Sequence, residues 1–244
     1  MINSVRNTVL SILNKNNYGY ISPSDFNLYA KQAQLEIFDD YFNQYNKTIN
    51  LENARRSGTG YGNKLKTIEE MIDTFSRFDP LTQVTPSTNE YFLPSPTTTG
   101  FDYYNIITVT CYDGLGNLLG EAEKVTHNAI NMLNSSMLTS PSTMFPAYTQ
   151  AGDKITVYPD SINGAASVKA TYIRYPKDPK WTYVSIGGGE PVFDQSQLDY
   201  QDFEFPIEEE TNLIIKILQY AGLSIREAQV VTYASTEEVK QQQQ

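Results

Sequence analysis

Apolar residues recur at helical spacing near both ends of the chain and alternate with polar ones through its middle. Val5, Val9, Ile12 and Leu13 make one side of a first helix over residues 4–15. Asn16-Asn17-Tyr18-Gly19-Tyr20 then reads as a loop, with Gly19 suited to a left-handed turn. Ser22 followed by Pro23 starts a second helix: Ser22 caps, Pro23 fits the first turn, and Asp25 sits at the positive end of the dipole. Phe26, Ala30, Ala33, Ile37 and Tyr41 share a face of this helix, joined by Tyr29, Phe38, Phe42 and Tyr45. Its length to Tyr45 is about 34 Å. Leu65, Ile68, Ile72 and Phe75 give a third helix that ends near Phe78-Asp79-Pro80.

At the other end, Phe203-Glu204-Phe205 reads as a short strand stopped by Pro206, and Glu208, Glu209 and Glu210 place negative charge at a helix start. Leu213, Ile214, Ile217, Leu218 and Ala221 form one apolar stripe over residues 211–222. Gly222 is the expected stop, and Ser224 the cap of a final helix to Lys240 carrying Ile225, Ala228, Val231 and Val239. A helix as apolar as 211–222 needs a partner surface, and the N-terminal helices are the expected one.

Between these ends the pattern is β. Tyr103 to Tyr112 is rich in tyrosine, isoleucine, threonine and valine, and Leu118 to Glu123 returns after an Asp113-to-Asn117 turn. A short helix is expected over 126–135, with Ala129, Ile130 and Leu133 inward. A second hairpin joins Met144–Gln150 to Lys154–Tyr158 through Ala151-Gly152-Asp153. Val168, Ala170, Tyr172 and Arg174 alternate against Lys169, Thr171, Ile173 and Tyr175, and Pro176 and Pro179 end that strand. Ile186-Gly187-Gly188-Gly189 reads as a flexible loop. Helices, then strands, then helices predict an α+β fold, a helical bundle built from both chain ends with a central antiparallel β-sandwich-like insertion. The expected domains are 1–78 with 207–240 (helical) and 79–206 (β-rich), with 241–244 a disordered tail.

Composition narrows the function. Cys111 is the sole cysteine and His127 the sole histidine, which leaves no disulfide and none of the common zinc or triad arrangements. No apolar run is long enough to span a bilayer, and the first residues lack a signal-peptide core, so the expectation is a cytoplasmic product without membrane contact. The net charge of −10 disfavours general nucleic-acid binding and suits a surface past which DNA slides. The 18 tyrosines against one tryptophan suit wet interfaces and β-strands alike.

The candidate sites yield no chemistry. Gly58 to Lys64 lacks the Gly-Lys-Ser/Thr ending of a phosphate loop and lies between helices. Consecutive Glu208, Glu209 and Glu210 diverge around a helix and cannot converge on a metal. Asp113 and Asn117 fit a turn better than a calcium loop. Ser4, Ser22 and Ser224 read as caps, and His127 as a polar residue at a helix start. The expectation is therefore no catalytic residue, no metal and no cofactor. Arg55, Arg56, Tyr61 and Lys64, with Val231 and Tyr233, are candidate interface residues, the basic ones facing an acidic partner or passing DNA.

Two stretches carry a resemblance. Ser4-Val5-Arg6-Asn7-Thr8-Val9-Leu10, continuing through Asn16–Asn27 into Ala30-Lys31-Gln32-Ala33-Gln34-Leu35-Glu36, resembles the opening of virion structural proteins from short-tailed phages, including crAss-like phages. Lys216-Ile217-Leu218-Gln219-Tyr220-Ala221-Gly222 and Ser224-Ile225-Arg226 are similar to their C-terminal helices. The resemblance implies a head–tail connector: a ring or adaptor subunit, commonly in twelve copies, joining the portal to tail or other ring proteins, with DNA passing through the lumen. It implies a virion location after assembly in the host bacterial cytoplasm. The alternative is a tail or surface module that binds carbohydrate or protein through its tyrosine-rich β part, with Tyr103, Tyr104, Tyr172, Tyr175, Trp181 and Tyr183 as stacking platforms. A hydrolase with a carboxylate pair ranks last.

Overall fold

The computed structural model describes residues 1–14, 20–53, 62–185 and 191–225. Within them the fold is mixed α+β, with five α-helices, one seven-stranded sheet and one two-stranded hairpin. Contacts divide the chain into two compact units, Met1–Leu65 with Pro176–Gln244, and Lys66–Tyr175. The sequence pattern had drawn these boundaries at 78/79 and 206/207.

In the first unit, α1 (Ile2–Asn14) buries Ile2, Val5, Val9 and Leu13 on one side, as their spacing requires. Ser4 lies inside α1 rather than capping it. Ser22 does cap α2 (Pro23–Asn53): its Oγ accepts the Asp25 amide at 3.1 Å and donates to the Asp25 carboxylate at 2.7 Å. This helix runs past Tyr45 for a length of about 46 Å. The apolar stripe expected over residues 211–222 lies on α5 (Glu210–Ile225), introduced by a single 3-10 turn at Ile207–Glu209. It buries Leu213, Ile217, Leu218 and Ala221 and packs on α1 and α2.

Two expectations near this end are corrected. The helix does not stop at Gly222, which is buried with Ala221 inside it, and Ser224 is helical rather than a cap. Phe203-Glu204-Phe205 is not a strand. Both phenylalanines are buried, while Glu204 bonds to side chains and to Lys177 instead of to a ladder: its amide reaches Gln34 Oε1 at 3.3 Å and its carboxylate accepts the Lys177 amide at 2.8 Å.

The segment from Pro176 to Phe205 is tied to α2 by a polar row that the apolar pattern does not show. Asn27, Lys31 and Gln34 recur at helical spacing. Asn27 Oδ1 accepts the Trp181 amide at 2.8 Å, Lys31 pairs with Asp178 at 2.6 Å, and Gln34 Nε2 donates to the Lys177 carbonyl at 2.7 Å. Two short strands also lie here, β8 (Tyr183–Ser185) and β9 (Pro191–Phe193), paired antiparallel.

The second unit holds β1 (Ser76–Pro80), β2 (Glu90–Phe92), β3 (Tyr103–Tyr112), β4 (Leu118–Lys124), β5 (Ala147–Ala151), β6 (Lys154–Tyr158) and β7 (Val168–Arg174). Their order is β1-β7-β3-β4-β5-β6-β2. Both expected hairpins are present, and Val168, Ala170 and Tyr172 face the core. Ser76–Pro80 is a strand, although α3 (Gly62–Thr74) had been expected to reach Pro80. Phe75 and Phe78 have helical spacing, but Phe75 is buried and Phe78 is exposed.

The β part is one curled sheet rather than a sandwich, and the β4–β5 junction runs parallel. Beyond Pro80 the chain leaves β7 and reaches β2: Gln83 bridges Tyr91, Phe92 donates to the Thr82 carbonyl, and Val84 donates to the Glu90 carbonyl. The two ends of the sheet therefore meet, which leaves little unpaired edge. Inside lie Leu81, Tyr91, Leu93, Val109, Cys111, Ala122, Tyr148, Ile155, Val157, Val168, Ala170 and Tyr172. The buried hydroxyls find partners, Tyr91 donating to the Gly164 carbonyl at 2.9 Å and Tyr172 to Asp79 at 2.8 Å.

Candidate functional site

Arg55, Arg56, Tyr61, Val231 and Tyr233 lie outside the described residues, as do most of the Gly58–Lys64 loop and residues 226–240 of the expected final helix. Lys64 falls in the first turn of α3, with its side chain outside the described set. Among the described residues no group of three or more histidine, cysteine, aspartate or glutamate side chains gathers to hold a metal ion. No helix there is long and apolar enough to cross a membrane.

The polar residues weighed from the sequence have local duties. Asp113 Oδ1 accepts the Leu115 and Asn117 amides at 2.8 Å, and Oδ2 accepts Asn117 Nδ2 at 2.9 Å. The Asn117 bonds hold its carboxyl below the ordinary range. His127 is the first residue of α4 (His127–Asn134), capped by Thr126, whose Oγ1 accepts the Ala129 amide at 3.3 Å. A shallow cleft beside it is lined by Lys124, Val125, Thr126, His127, Gln150 and Gly152. Lys124 there donates to Gln150 at 2.7 Å, and the lining contains no carboxylate.

Two of the supposed stacking platforms are closed to solvent. Tyr172 lies in the sheet core, and Trp181 is only 2% exposed. Arg6 covers one face of the indole at 3.8 Å, Tyr183 and Phe193 stack near it at 5.6 and 5.9 Å, and its Nε1 donates to Asn3 Oδ1 at 3.0 Å. This tryptophan organises the first unit and offers no ring to a sugar.

The surface that stands out is the excursion between β4 and β5. From Val125 to Gly152 the sequence has no aspartate, glutamate, lysine or arginine. The root of the excursion is fixed: Ile130 of α4 is buried, and so is Pro146 where the chain enters β5. At Gly120 of β4 a Cβ would stand 2.9 Å from the Met144 carbonyl oxygen, so the returning leg lies directly on that strand. Beyond α4, serine and threonine hydroxyls tie the backbone into turns. Ser135 Oγ donates to the Asn131 carbonyl at 2.8 Å, and Thr139 Oγ1 to the Leu133 carbonyl at 3.1 Å. Ser142 and Phe145 exchange backbone bonds at 3.2 and 3.1 Å.

With the backbone so engaged, the large side chains point outward. Met132, Met137, Leu138, Met144 and Phe145 are all exposed, Met137 at 101% and Leu138 at 96%. Scattered exposed apolar residues are ordinary, but five within fourteen positions on an uncharged arm mark an interaction surface. Methionine strengthens that reading, because its unbranched, polarizable side chain adapts to a partner's contour. The sequence pattern assigns Met144 and Phe145 to a strand, which begins only at Ala147. The missed signal is the length of the uncharged run.

A smaller apolar surface lies on the β8–β9 hairpin. Tyr183 pairs with Phe193 on the side facing Trp181. Val184 pairs directly with Val192, and both are exposed. Comparison of the sequence with protein-family models and with curated proteins finds no match.

Proposed function

We propose that this chain is a non-enzymatic virion structural protein, a ring or adaptor subunit that joins the portal to the tail around the DNA channel of a short-tailed phage. The observation that carries the reading is the pre-ordered, uncharged arm with five exposed apolar side chains, a surface built to meet another protein. The resemblance of the chain ends to short-tailed-phage virion proteins points the same way.

On this reading the helices of both chain ends make one bundle, and the curled sheet, inserted between them in the sequence, makes contacts between subunits or with the tail. The excess of acidic residues lets DNA pass through the lumen without sticking, since affinity for phosphate comes from lysine and arginine. Arg55, Arg56, Tyr61 and Lys64 remain proposed contacts with a neighbouring protein or with passing DNA, and Val231 and Tyr233 proposed contacts with a ring neighbour. The partners are copies of the chain, the portal, and further ring or tail proteins.

The test is co-assembly. The purified chain mixed with the portal complex of the same phage forms closed rings on the portal, visible by negative-stain microscopy. A monomer that ignores the portal overturns the assignment.

A further inference from the structure

We infer that Asn163 is a self-modification site: in the folded protein its side-chain amide is lost as ammonia through a succinimide formed with Gly164, leaving aspartate and isoaspartate. The inference is independent of the connector reading. It concerns the loop that joins β6 to β7.

Asparagine is a thermolabile residue, and attack on its side chain by the next backbone nitrogen is easiest before glycine, which puts no side chain in the way. Asn163–Gly164 is the only such pair in the sequence. The fold leaves both reacting groups unengaged. Asn163 is exposed, and among the described residues no protein group hydrogen-bonds its carboxamide or the Gly164 amide nitrogen. The pair lies between two turns, one closed by the Ile162 amide on the Pro159 carbonyl at 3.0 Å, the other by the Ser167 amide on the Gly164 carbonyl at 3.2 Å. Packing requires glycine here, because a Cβ at 164 would collide with Ser167 Oγ. The loop thus imposes the very neighbour that leaves Asn163 open to attack.

Two other pairs in the same unit each lack one condition. In Asn134–Ser135 the attacking nitrogen is engaged, donating to the Met132 carbonyl at 3.2 Å. In Asp113–Gly114 both carboxylate oxygens are held, by the Leu115 and Asn117 amides and by Asn117 Nδ2, and an ionised carboxylate is a poor target for a nitrogen nucleophile.

The Gly164 nitrogen gives its proton to a solvent base and attacks Asn163 Cγ. The new N–C bond closes the imide as the C–NH2 bond breaks, and the leaving nitrogen takes a proton from water and departs as ammonia. Water then opens the imide. Opening at Cγ gives aspartate; opening at the main-chain carbonyl gives isoaspartate, whose backbone runs through the β-carbon. One water is consumed and one ammonia released.

Isoaspartate changes what the loop holds. The Asn163 carbonyl accepts Gln83 Nε2 at 2.8 Å, and the Gly164 carbonyl accepts the hydroxyl of Tyr91, a fully buried core residue, at 2.9 Å. The reaction turns the first acceptor into a free carboxylate and, by lengthening the main chain, displaces the second. A buried hydroxyl then loses its closest partner, which weakens the second unit.

The experiment incubates the full folded chain, warm and at mildly alkaline pH, and follows it by peptide mass mapping with isoaspartate scored by enzymatic methylation. Asn163 converts, faster as pH rises, while Asn134 keeps its amide and Asp113 stays aspartate. Asn163→Gln, whose longer side chain closes the ring poorly, loses the conversion and folds like the parent by circular dichroism. The isoaspartate form, separated by ion exchange, unfolds at lower denaturant than the parent, whereas Asn163→Asp, which has the charge but not the longer backbone, matches the parent. Asn163 that stays an amide in the folded chain while the same chain in urea converts overturns the proposal, as does conversion of Asn134 at an equal rate. An isoaspartate form as stable as Asn163→Asp overturns the link to the core.

Discussion

The guanidinium of Arg6 lies 3.8 Å from the centre of the Trp181 ring, joining α1 to the segment that follows the sheet. Arg6 is itself buried, and the indole Nε1 is held by Asn3 on the same helix. Trp181 is the only tryptophan, so its emission reports on the first unit alone. We expect blue-shifted emission in the native protein that moves red on unfolding. Trp181→Phe keeps a ring under Arg6 but strands Asn3 Oδ1, at a cost of about 1–2 kcal/mol. Arg6→Ala removes both the charge over the ring and the packing of its stem, at a cost of about 2 kcal/mol. Denaturant titration followed by circular dichroism measures both; two variants as stable as the parent would remove Trp181 from the centre of this unit.

Lys216 gives a second test, because its partners are less buried than it is. Its ammonium lies 2.8 Å from Glu36 and 3.6 Å from Asp40, with Tyr220 donating to the other Glu36 oxygen at 2.9 Å. Lys216→Met keeps the apolar stem and leaves two half-exposed carboxylates that water can reach, so stability changes by less than about 1 kcal/mol. Glu36→Gln with Asp40→Asn instead removes two counter-charges from a buried ammonium, at a cost of about 3 kcal/mol. Equal losses from the two changes would refute the asymmetry.

Alkaline pH should weaken the second unit through its core. Burial pushes the Cys111 thiol from 9.0 up to about 12, and burial with the neighbouring Cys111 charge pushes the Tyr91 hydroxyl to about 12. Both groups are neutral in the folded protein and ionise more easily once unfolded. Their contribution is complete below about pH 9 and is lost as the pH rises towards 12. Stability measured from pH 7 to 11 should be flat at first and then fall, with a shallower fall in Cys111→Ala. The native thiol should resist thiol reagents at pH 8 and react fully on unfolding. Rapid reaction of the native protein would show that Cys111 is not enclosed.

Local signals account for what was legible in the sequence. Ser22 and Pro23 fixed the start of α2, Asp113 to Asn117 fixed a turn, and the alternation from Val168 to Tyr172 fixed a buried strand face. Signals that depend on tertiary context failed. Gly222 is a stop only where the chain leaves its packing surface, and here it stays packed. Phe203 and Phe205 alternate like a strand, yet they serve as two anchors on a segment bonded to side chains. Strands of three residues, such as β2, β8 and β9, are too short to show periodicity. The arm was hidden because apolar residues signal interior by default, and nothing local distinguishes a core methionine from an exposed one.

Gly120 tests whether the arm is held in place. Gly120→Val puts a branched side chain against the Met144 carbonyl, where even a Cβ would stand at 2.9 Å. The backbone of the returning leg must move, at a cost of about 1–3 kcal/mol. Limited proteolysis should show faster cleavage within 137–145 in this variant, with the rest of the sheet intact. Unchanged cleavage would mean that the leg is not braced on β4.

The central claim, that the chain works by fitting between copies of itself and its neighbours, is tested most directly by electron cryomicroscopy of the assembled virion with this chain traced. The account predicts a closed ring of copies between portal and tail, with the uncharged arm of each buried against a neighbouring protein. A virion whose collar lacks the chain, or a ring in which the arm stands free in solvent, would contradict it.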